Sequence, residues 1–224
     1  MNAVALLRAE AGSSPSGTGS FNPFSNFFVV VQNLAFTKLV GIWGHDVGTG
    51  TWGFHPCSYS RSVPGNLEIW ETSLGLPPDQ FDVEYQALGN VFWDNNAGYN
   101  YSLDIGAASG TDGVGTVVIN PNVLAVGWEV DGAGNLNVDV LVKNVAFVKQ
   151  VAIVYTTSNW LTFQNAFGNY SQSFAPGSSP HQLGAELWKI VAPVGIGKTG
   201  QFAVFYTVAG TTYWDNNFGF NYSF

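Results

Sequence analysis

Charge is what this sequence has least of. Only 10% of its 224 residues are Asp, Glu, Lys or Arg, against ~25% in an ordinary soluble domain. Seven are basic and fifteen acidic, for a net charge of −8. So few cations cannot neutralise a run of phosphates or an anionic lipid surface, which excludes nucleic acid and membrane as partners. The one cysteine, Cys57, excludes an intrachain disulfide framework and a cysteine-built zinc site. No apolar run approaches the ~18 residues of a membrane span. Met1 to Leu7 is mildly apolar, but Arg8 and Glu10 end the run. The expectation is a protein without a secretory signal peptide, cytoplasmic or released by another route.

Catalytic patterns are missing too. His45, His55 and His181 have no metal-ligand spacing, and His55-Pro56-Cys57 cannot build a triad alone. There is no Gly-x-Ser-x-Gly elbow, and the acidic residues are too scattered to suggest paired carboxylates. Ala192 to Thr199 loosely resembles a phosphate-binding loop, but its first Gly is absent. It also runs into a period-two strand rather than a helix, so it reads as a hairpin turn. The expectation is no enzyme, no cofactor and no metal.

What is present is an internal repeat. Phe92-Trp93-Asp94-Asn95-Asn96-Ala97-Gly98-Tyr99-Asn100-Tyr101-Ser102 returns as Tyr213-Trp214-Asp215-Asn216-Asn217-Phe218-Gly219-Phe220-Asn221-Tyr222-Ser223. Gln32-Asn33-Leu34-Ala35-Phe36-Thr37-Lys38 answers Lys143-Asn144-Val145-Ala146-Phe147-Val148-Lys149. Trp52 pairs with Trp160, and Trp70 with Trp188. Two copies, 1–105 and 116–224, then account for the chain, with the Gly-rich stretch 106–115 as linker. Within each copy the period is two. Phe81, Val83 and Tyr85 share a face, as do Phe202, Val204 and Tyr206, and Leu136, Val138, Val140 and Val142. Short strands separated by turns such as Asp131-Gly132-Ala133-Gly134-Asn135 predict an all-β sandwich or barrel, used twice.

The element Asn-hydrophobic-Ala-Phe-x-Lys, a Trp after a polar loop, Phe-x-Val-x-Tyr, and Trp-Asp-Asn-Asn-x-Gly-x-Asn-Tyr is similar to carbohydrate-binding module family 21. That family holds starch-binding domains of fungal glucoamylases and glycogen-targeting domains of phosphatase regulatory subunits. The resemblance covers both halves and implies two tandem immunoglobulin-like antiparallel β-sandwich domains that bind α-glucan without catalysis. It places the sugar site on Trp93 and Trp52 in the first copy, and on Trp214 and Trp160 in the second. A further stacking aromatic of the family falls here on Asp82 and Ala203, which suggests a smaller platform or another glycan. A second surface of some members falls on Phe36 and Phe147, which lack the hydroxyl found there.

The residue chemistry points the same way. A pyranose has polar edges and flat C–H faces, so it suits an exposed indole beside planar amides. Asn95, Asn96 and Asn100 supply amides beside Trp93, and Asn216, Asn217 and Asn221 supply them beside Trp214. Trp43, Trp70 and Trp188 sit in strand-like runs and are expected in the core, with Trp128 peripheral. Asp94 and Asp215 are expected to shape the loop by Asx-type turns, Gly98 and Gly219 to serve the backbone, and Tyr101 and Tyr222 to pack. Lys143-Asn144-Val145-Ala146-Phe147 matches a phosphatase docking pattern, but alternation would bury Val145, so it reads as chance. The leading expectation is a free-standing bivalent α-glucan binder. A lectin for other glycans and a scaffold bringing an enzyme to glycogen are the alternatives. The scaffold would need a docking tail, which this sequence is not expected to carry, and a fragment of an amylolytic enzyme is a further alternative.

Overall fold

The computed structural model describes residues 2–17, 20–103, 113–177, 179 and 181–224. The fold is all-β, and among the described residues the strand ladders with a defined register are antiparallel, with an isolated parallel bridge between Thr116 and Ala175. In chain order the strands are β1 (Val4–Pro15), β2 (Phe21–Gln32), β3 (Lys38–Asp46), β4 (Thr51–Pro56), β5 (Ser58–Val63) and β6 (Leu67–Leu74). There follow β7 (Gln80–Ala87), β8 (Asn90–Asp94), β9 (Tyr101–Ser102), β10 (Gly113–Ile119), β11 (Val123–Val130) and β12 (Asn135–Lys143). The last are β13 (Lys149–Thr156), β14 (Gln164–Phe174), β15 (Ala185–Pro193), β16 (Gln201–Val208), β17 (Thr211–Asp215) and β18 (Tyr222–Ser223).

The chain divides into two units: Met1–Asn120 with Phe174–Gly184, and Pro121–Ser173 with Ala185–Phe224. The first stacks a sheet ordered β10-β1-β2-β6-β5 on one ordered β4-β3-β7-β8, with β9 on β7. The second repeats this plan as β11-β12-β15 and β14-β13-β16-β17, with β18 on β16. Here β14 runs on as one strand beside both β15 and β13, joining the two layers. In the first unit Cys57 interrupts that path, so β4 pairs with β3 and β5 with β6.

Alternation decides what is buried. Phe27, Val29 and Val31 from one layer meet Ile42, Phe81, Val83 and Tyr85 from the other. Leu136, Val138, Val140 and Val142 meet Ile153, Phe202, Val204 and Tyr206 in the second unit. Each such side chain contributes about 1.5–3 kcal/mol of hydrophobic stabilisation. The phenols of Tyr85 and Tyr206 do not lose their hydrogen bonds: they donate to Gln32 O and Lys143 O, both at 2.7 Å.

Three expectations change. Gly113–Ile119, placed across the linker and the second copy by the sequence, pairs with β1, Ala9 opposite Val118. The open edge of β1 carries unpaired backbone groups, and the next passing strand satisfies them. Residues 174–184, expected in the second copy, likewise pack in the first unit: Gln182 accepts from Ser102 N at 2.7 Å and donates to Ser102 O at 2.9 Å. Residues 106–112 of the expected linker lie outside the described residues. Finally, Ala192 to Thr199 is no hairpin, since β15 and β16 belong to different layers. The loop carries the chain across the sandwich.

Each unit also has a latch between its layers. The β1–β2 register shifts between Leu6 and Arg8, and the β11–β12 register between Ala125 and Gly127. Such a bulge leaves backbone groups outside the ladder. Leu6 N donates to Asp94 on the opposite layer at 2.7 Å, and Ala125 N donates to Asp215 at 2.7 Å. The same carboxylates accept from Tyr101 OH at 2.9 and 3.0 Å, and from Tyr222 OH at 2.9 and 2.8 Å. Burial, then the Asp94 charge, holds the Tyr101 phenol far above its ordinary range, so it stays a donor. The expected Asx contact is present only as the lesser bond Asn217 N to Asp215 at 3.3 Å. The inter-layer bond outweighs it because it satisfies a backbone N–H that has lost its ladder partner.

Removing either carboxylate strands two close donors and a third at 3.3 Å, Asn120 Nδ2 at Asp94 and Asn217 N at Asp215, each close donor costing about 1–3 kcal/mol when buried. Asp94→Ala and Asp215→Ala should each lose about 3 kcal/mol, and Tyr101→Phe and Tyr222→Phe about 1 kcal/mol, by urea unfolding. An unchanged midpoint for both Asp variants would remove the latch.

Candidate functional site

The outer face of β4-β3-β7-β8 is assembled by cross-strand register. Trp93 on β8 stands opposite Glu84, Glu84 opposite Gly41, and Gly41 opposite Pro56. The next row holds Phe54, Trp43 and Asp82, and the next His45 with Trp52. All of these share one parity and therefore one face. Trp52 and Trp93 are 42% and 46% exposed. They do not meet. Three strand spacings and four residues of rise separate them by roughly 20 Å.

Trp43, expected in the core, lies half-buried on this outer face, because β3 turns Val40 and Ile42 inward and so must turn Trp43 out. Its indole donates to Glu84, which Gln86 also bonds. The Phe54 ring covers Gly41, where any side chain would collide with it. At the Trp52 corner the His45 ring lies 5.6 Å away, and His45 hydrogen-bonds Asp79 at 2.7 Å. A cleft of about 630 Å³ opens beside it, lined by Leu74, Leu76, Pro78 and His55 among others.

The loop after Trp93 runs back along β7 between these corners. Asn95 caps a 3-10 turn by accepting from Gly98 N at 3.0 Å. Asn96, Ala97 and Asn100 all have positive φ, at 52°, 58° and 56°. Asn tolerates that region better than other side chains. Asn96 donates to Asn100 O at 2.9 Å and to Ser179 Oγ at 2.6 Å. Asn100 turns its NH2 group toward Asp82, 3.1 and 3.2 Å from its two oxygens. Burial, then the Asp94 charge, pushes Asp82 up to about 6. The Asn100 amide opposes that by favouring the carboxylate.

The second unit copies the loop closely. Asn95 and Asn216 share φ −122° and ψ 34°, and Ala97 and Phe218 share φ 58° and ψ 32°. Asn216 accepts from Gly219 N at 2.9 Å, Asn217 donates to Asn221 O at 3.0 Å, and Asn221 has φ 56°. Trp214 is 57% exposed. The polar-loop Trp differs. Val154 faces Ala203 as Trp43 faces Asp82, and Asn165 faces Val154 as Phe54 faces Trp43. Extended one residue beyond the start of β14 at Gln164, that register brings Phe163, which is exposed, to the place of Trp52. Trp160 sits three residues earlier, in a loop held by Thr156, Ser158 and Thr162, with φ 66° and its indole donating to Gln201 at 2.6 Å.

The repeated Asn…Lys element is structural. Lys38 bonds Asn33 and, at 2.8 Å, Glu68, while Trp70 donates to Glu68 at 2.9 Å. Lys149 bonds Asn144 at 2.6 Å and Glu186 at 2.8 Å, with Trp188 on Glu186 at 3.0 Å. Trp70 and Trp188 pack half-buried against the cores. Clamping Lys to Asn throws the residue between them outward: Phe36 and Phe147 are fully exposed. Val145 is also exposed rather than buried, because β12 ends at Lys143 and alternation ends with it. Trp128 packs on Tyr222 and donates to Ser223 O at 2.9 Å.

Residues 124–224 match the family described as carbohydrate/starch-binding module (family 21). Among curated proteins the chain is similar to protein phosphatase 1 regulatory subunit 3C of Bos taurus, 33% identical over 87 residues, or 34% of this chain. It is also similar to glycogen-binding subunit 76A of Drosophila melanogaster, 31% identical over 88 residues, or 38% of this chain. These alignments span only 26% and 12% of those relatives' lengths. Among solved structures, the starch-binding domain of Rhizopus oryzae glucoamylase, in complex with β-cyclodextrin and maltoheptaose, is 29% identical with a TM-score of 0.36. It covers 47% of this chain and 93% of that one. The carbohydrate-binding module of the muscle glycogen-targeting subunit of protein phosphatase-1 is 21% identical with a TM-score of 0.35, covering 46% and 73%.

Asp82 carries a test of the first unit's face. Its carboxyl titrates near 6 when folded and near 3.9 when unfolded. Its contribution to stability is therefore present at acid pH and lost as pH rises from about 4 through about 6. Asp82→Asn should gain in melting temperature relative to the parent between pH 4.5 and pH 7.5. A difference that does not change with pH would contradict this environment.

Proposed function

We propose that the chain is a non-catalytic, two-site α-glucan-binding protein. One observation carries the reading. A half-exposed Trp closes a hairpin beside an Asn-lined loop, and the arrangement recurs in both units with the same backbone angles. The match of residues 124–224 to a carbohydrate/starch-binding family supports it for the second unit, and the repeat extends it to the first. Trp93 and Trp214 stack on sugar faces, and the Asn95 and Asn216 amides reach hydroxyls. Asn96, Asn100, Asn217 and Asn221 hold the loop and offer what remains of their bonding capacity. Trp52 at the far corner of the first face, and Trp160 in the loop that precedes Phe163 in the second unit, add a further aromatic to each site. Phe36 and Phe147, which nothing covers, support a second contact on each unit.

A shallow stacking site binds weakly, because desolvated hydroxyls and an ordered chain offset the contact energy. Two sites reaching one polymer raise avidity by ~10²–10⁴. That advantage exists only with a repetitive ligand, which favours a polysaccharide.

A second reading is a subunit that brings a phosphatase to glycogen. It is favoured by the names of the curated relatives and by the exposure of Val145 and Phe147 in the docking-like segment. Capture of phosphatase catalytic subunit by this chain, lost in Val145→Ala plus Phe147→Ala, would support it.

Titration with glycogen or amylose tests the main reading. Trp93→Ala plus Trp214→Ala should reduce affinity at least a hundredfold, and each single variant should remove most of the avidity. Unchanged affinity in the double variant would overturn the site. A glycan array dominated by other sugars would instead make this a lectin of another specificity.

A further inference from the structure

The two units share a hairpin and a loop, yet the sheet faces beside them differ in chemistry. In the second unit one row crosses four strands: Phe167 on β14, Ala152 on β13, Phe205 on β16 and Trp214 on β17. Phe167 is 56% exposed, and the rings of Phe205 and Trp214 lie 5.3 Å apart at 45°. Ala152, between the two Phe positions, is fully buried, so the exposed surface of the row is aromatic. At the spacing of neighbouring strands the row is roughly 14 Å long. The adjacent row, Asn165, Val154 and Ala203, adds no charge. In the first unit the same row reads Pro56, Gly41, Glu84 and Trp93. Glu84 is buried there and bonded by Trp43 and Gln86, so its carboxylate is anchored in mid-row.

Resting on the α-glucan reading above, we infer that Phe205 and Phe167 are specificity-determining residues that make the second unit select for glucan length. Its aromatic track takes consecutive glucosyl residues, while the first unit takes a shorter segment at Trp93. The physical reason is continuity. Each further sugar ring laid on Phe205 and Phe167 covers apolar surface at no polar cost. A sugar laid past Trp93 finds no further ring there, because the row continues in the buried Glu84, then Gly41 and Pro56.

The test uses the full chain carrying Trp93→Ala, so that the second unit alone is read, titrated calorimetrically with maltose and with maltoheptaose. Phe205→Glu, which installs the first unit's residue, should lower the maltoheptaose-to-maltose affinity ratio about tenfold, or ~1.4 kcal/mol. Phe167→Ser should lower it in the same direction. Because Phe167 is exposed, that variant keeps the test open if Phe205→Glu fails to fold. In a Trp214→Ala chain, Glu84→Phe should raise the ratio for the first unit. If the ratio stays unchanged in the folded Phe variants while Trp214→Ala still abolishes binding, the length assignment is overturned and the glucan reading stands. If Trp93→Ala chains bind neither sugar, and parent chains bind neither as well, the glucan reading fails and this inference fails with it.

Discussion

A bulge in the first strand of each unit is matched by a carboxylate, and the rest of the site depends on that match. The bulge turns one backbone N–H inward, and an orphaned inward N–H is costly unless an acceptor reaches it. Asp94 and Asp215 reach it from the opposite layer. Each is the residue after the exposed Trp and before the Asn loop. The tie that closes the sandwich is thus the tie that holds the Trp-bearing hairpin in place. Tyr101 and Tyr222, on the returning strands β9 and β18, bond the same carboxylates and anchor the loop's far end. Between those two anchors the loop must reverse within a few residues. Asn, with its tolerance of positive φ, is suited to the left-handed positions this requires.

The scarcity of charge has a structural counterpart. Lys38 with Glu68, and Lys149 with Glu186, are buried pairs that also bond an Asn and a Trp indole. Several of the few ionisable side chains are therefore spent inside, where their hydrogen bonds are satisfied. The second unit's face beside its Trp hairpin is left largely apolar, while the first keeps Asp82 and the buried Glu84. That division suits an uncharged partner, whose hydroxyls need directional amides rather than ions. The two faces have nonetheless diverged, because a strand's outward positions are free to change while its inward positions are held by packing.

Much of this is legible in the sequence. Period-two alternation placed Phe81, Val83, Tyr85, Phe202, Val204 and Tyr206 in the cores where they are found. The repeat located both hairpins, and Gly98 and Gly219 do take the positive φ that suits glycine. Reading failed where one residue's place depends on a neighbour strand. Trp160 looked like the partner of Trp52 because both are Trp after a polar loop. Cross-strand register, extended one residue beyond Gln164, brings Phe163 to that place, and the loop lengths conceal the shift. Trp43 looked like core because its neighbours are apolar. Phe54, Phe167 and Phe205 belong to no repeated motif, although alternation counted outward from the buried residues puts them on the site face.

The linear pattern was enough to specify two antiparallel β-sandwiches and the inward side of each strand, since alternation follows from the geometry of a single strand. It was also enough to mark the two Trp hairpins, since their Asp-Asn-Asn-x-Gly run reflects local turn chemistry. Tertiary structure alone decided that Asp94 and Asp215 bridge the layers and that Gly113–Ile119 completes the first unit. It alone set one face with Glu84 against another with Phe205. Those outcomes rest on register between strands distant in sequence, and register is decided only when both layers pack.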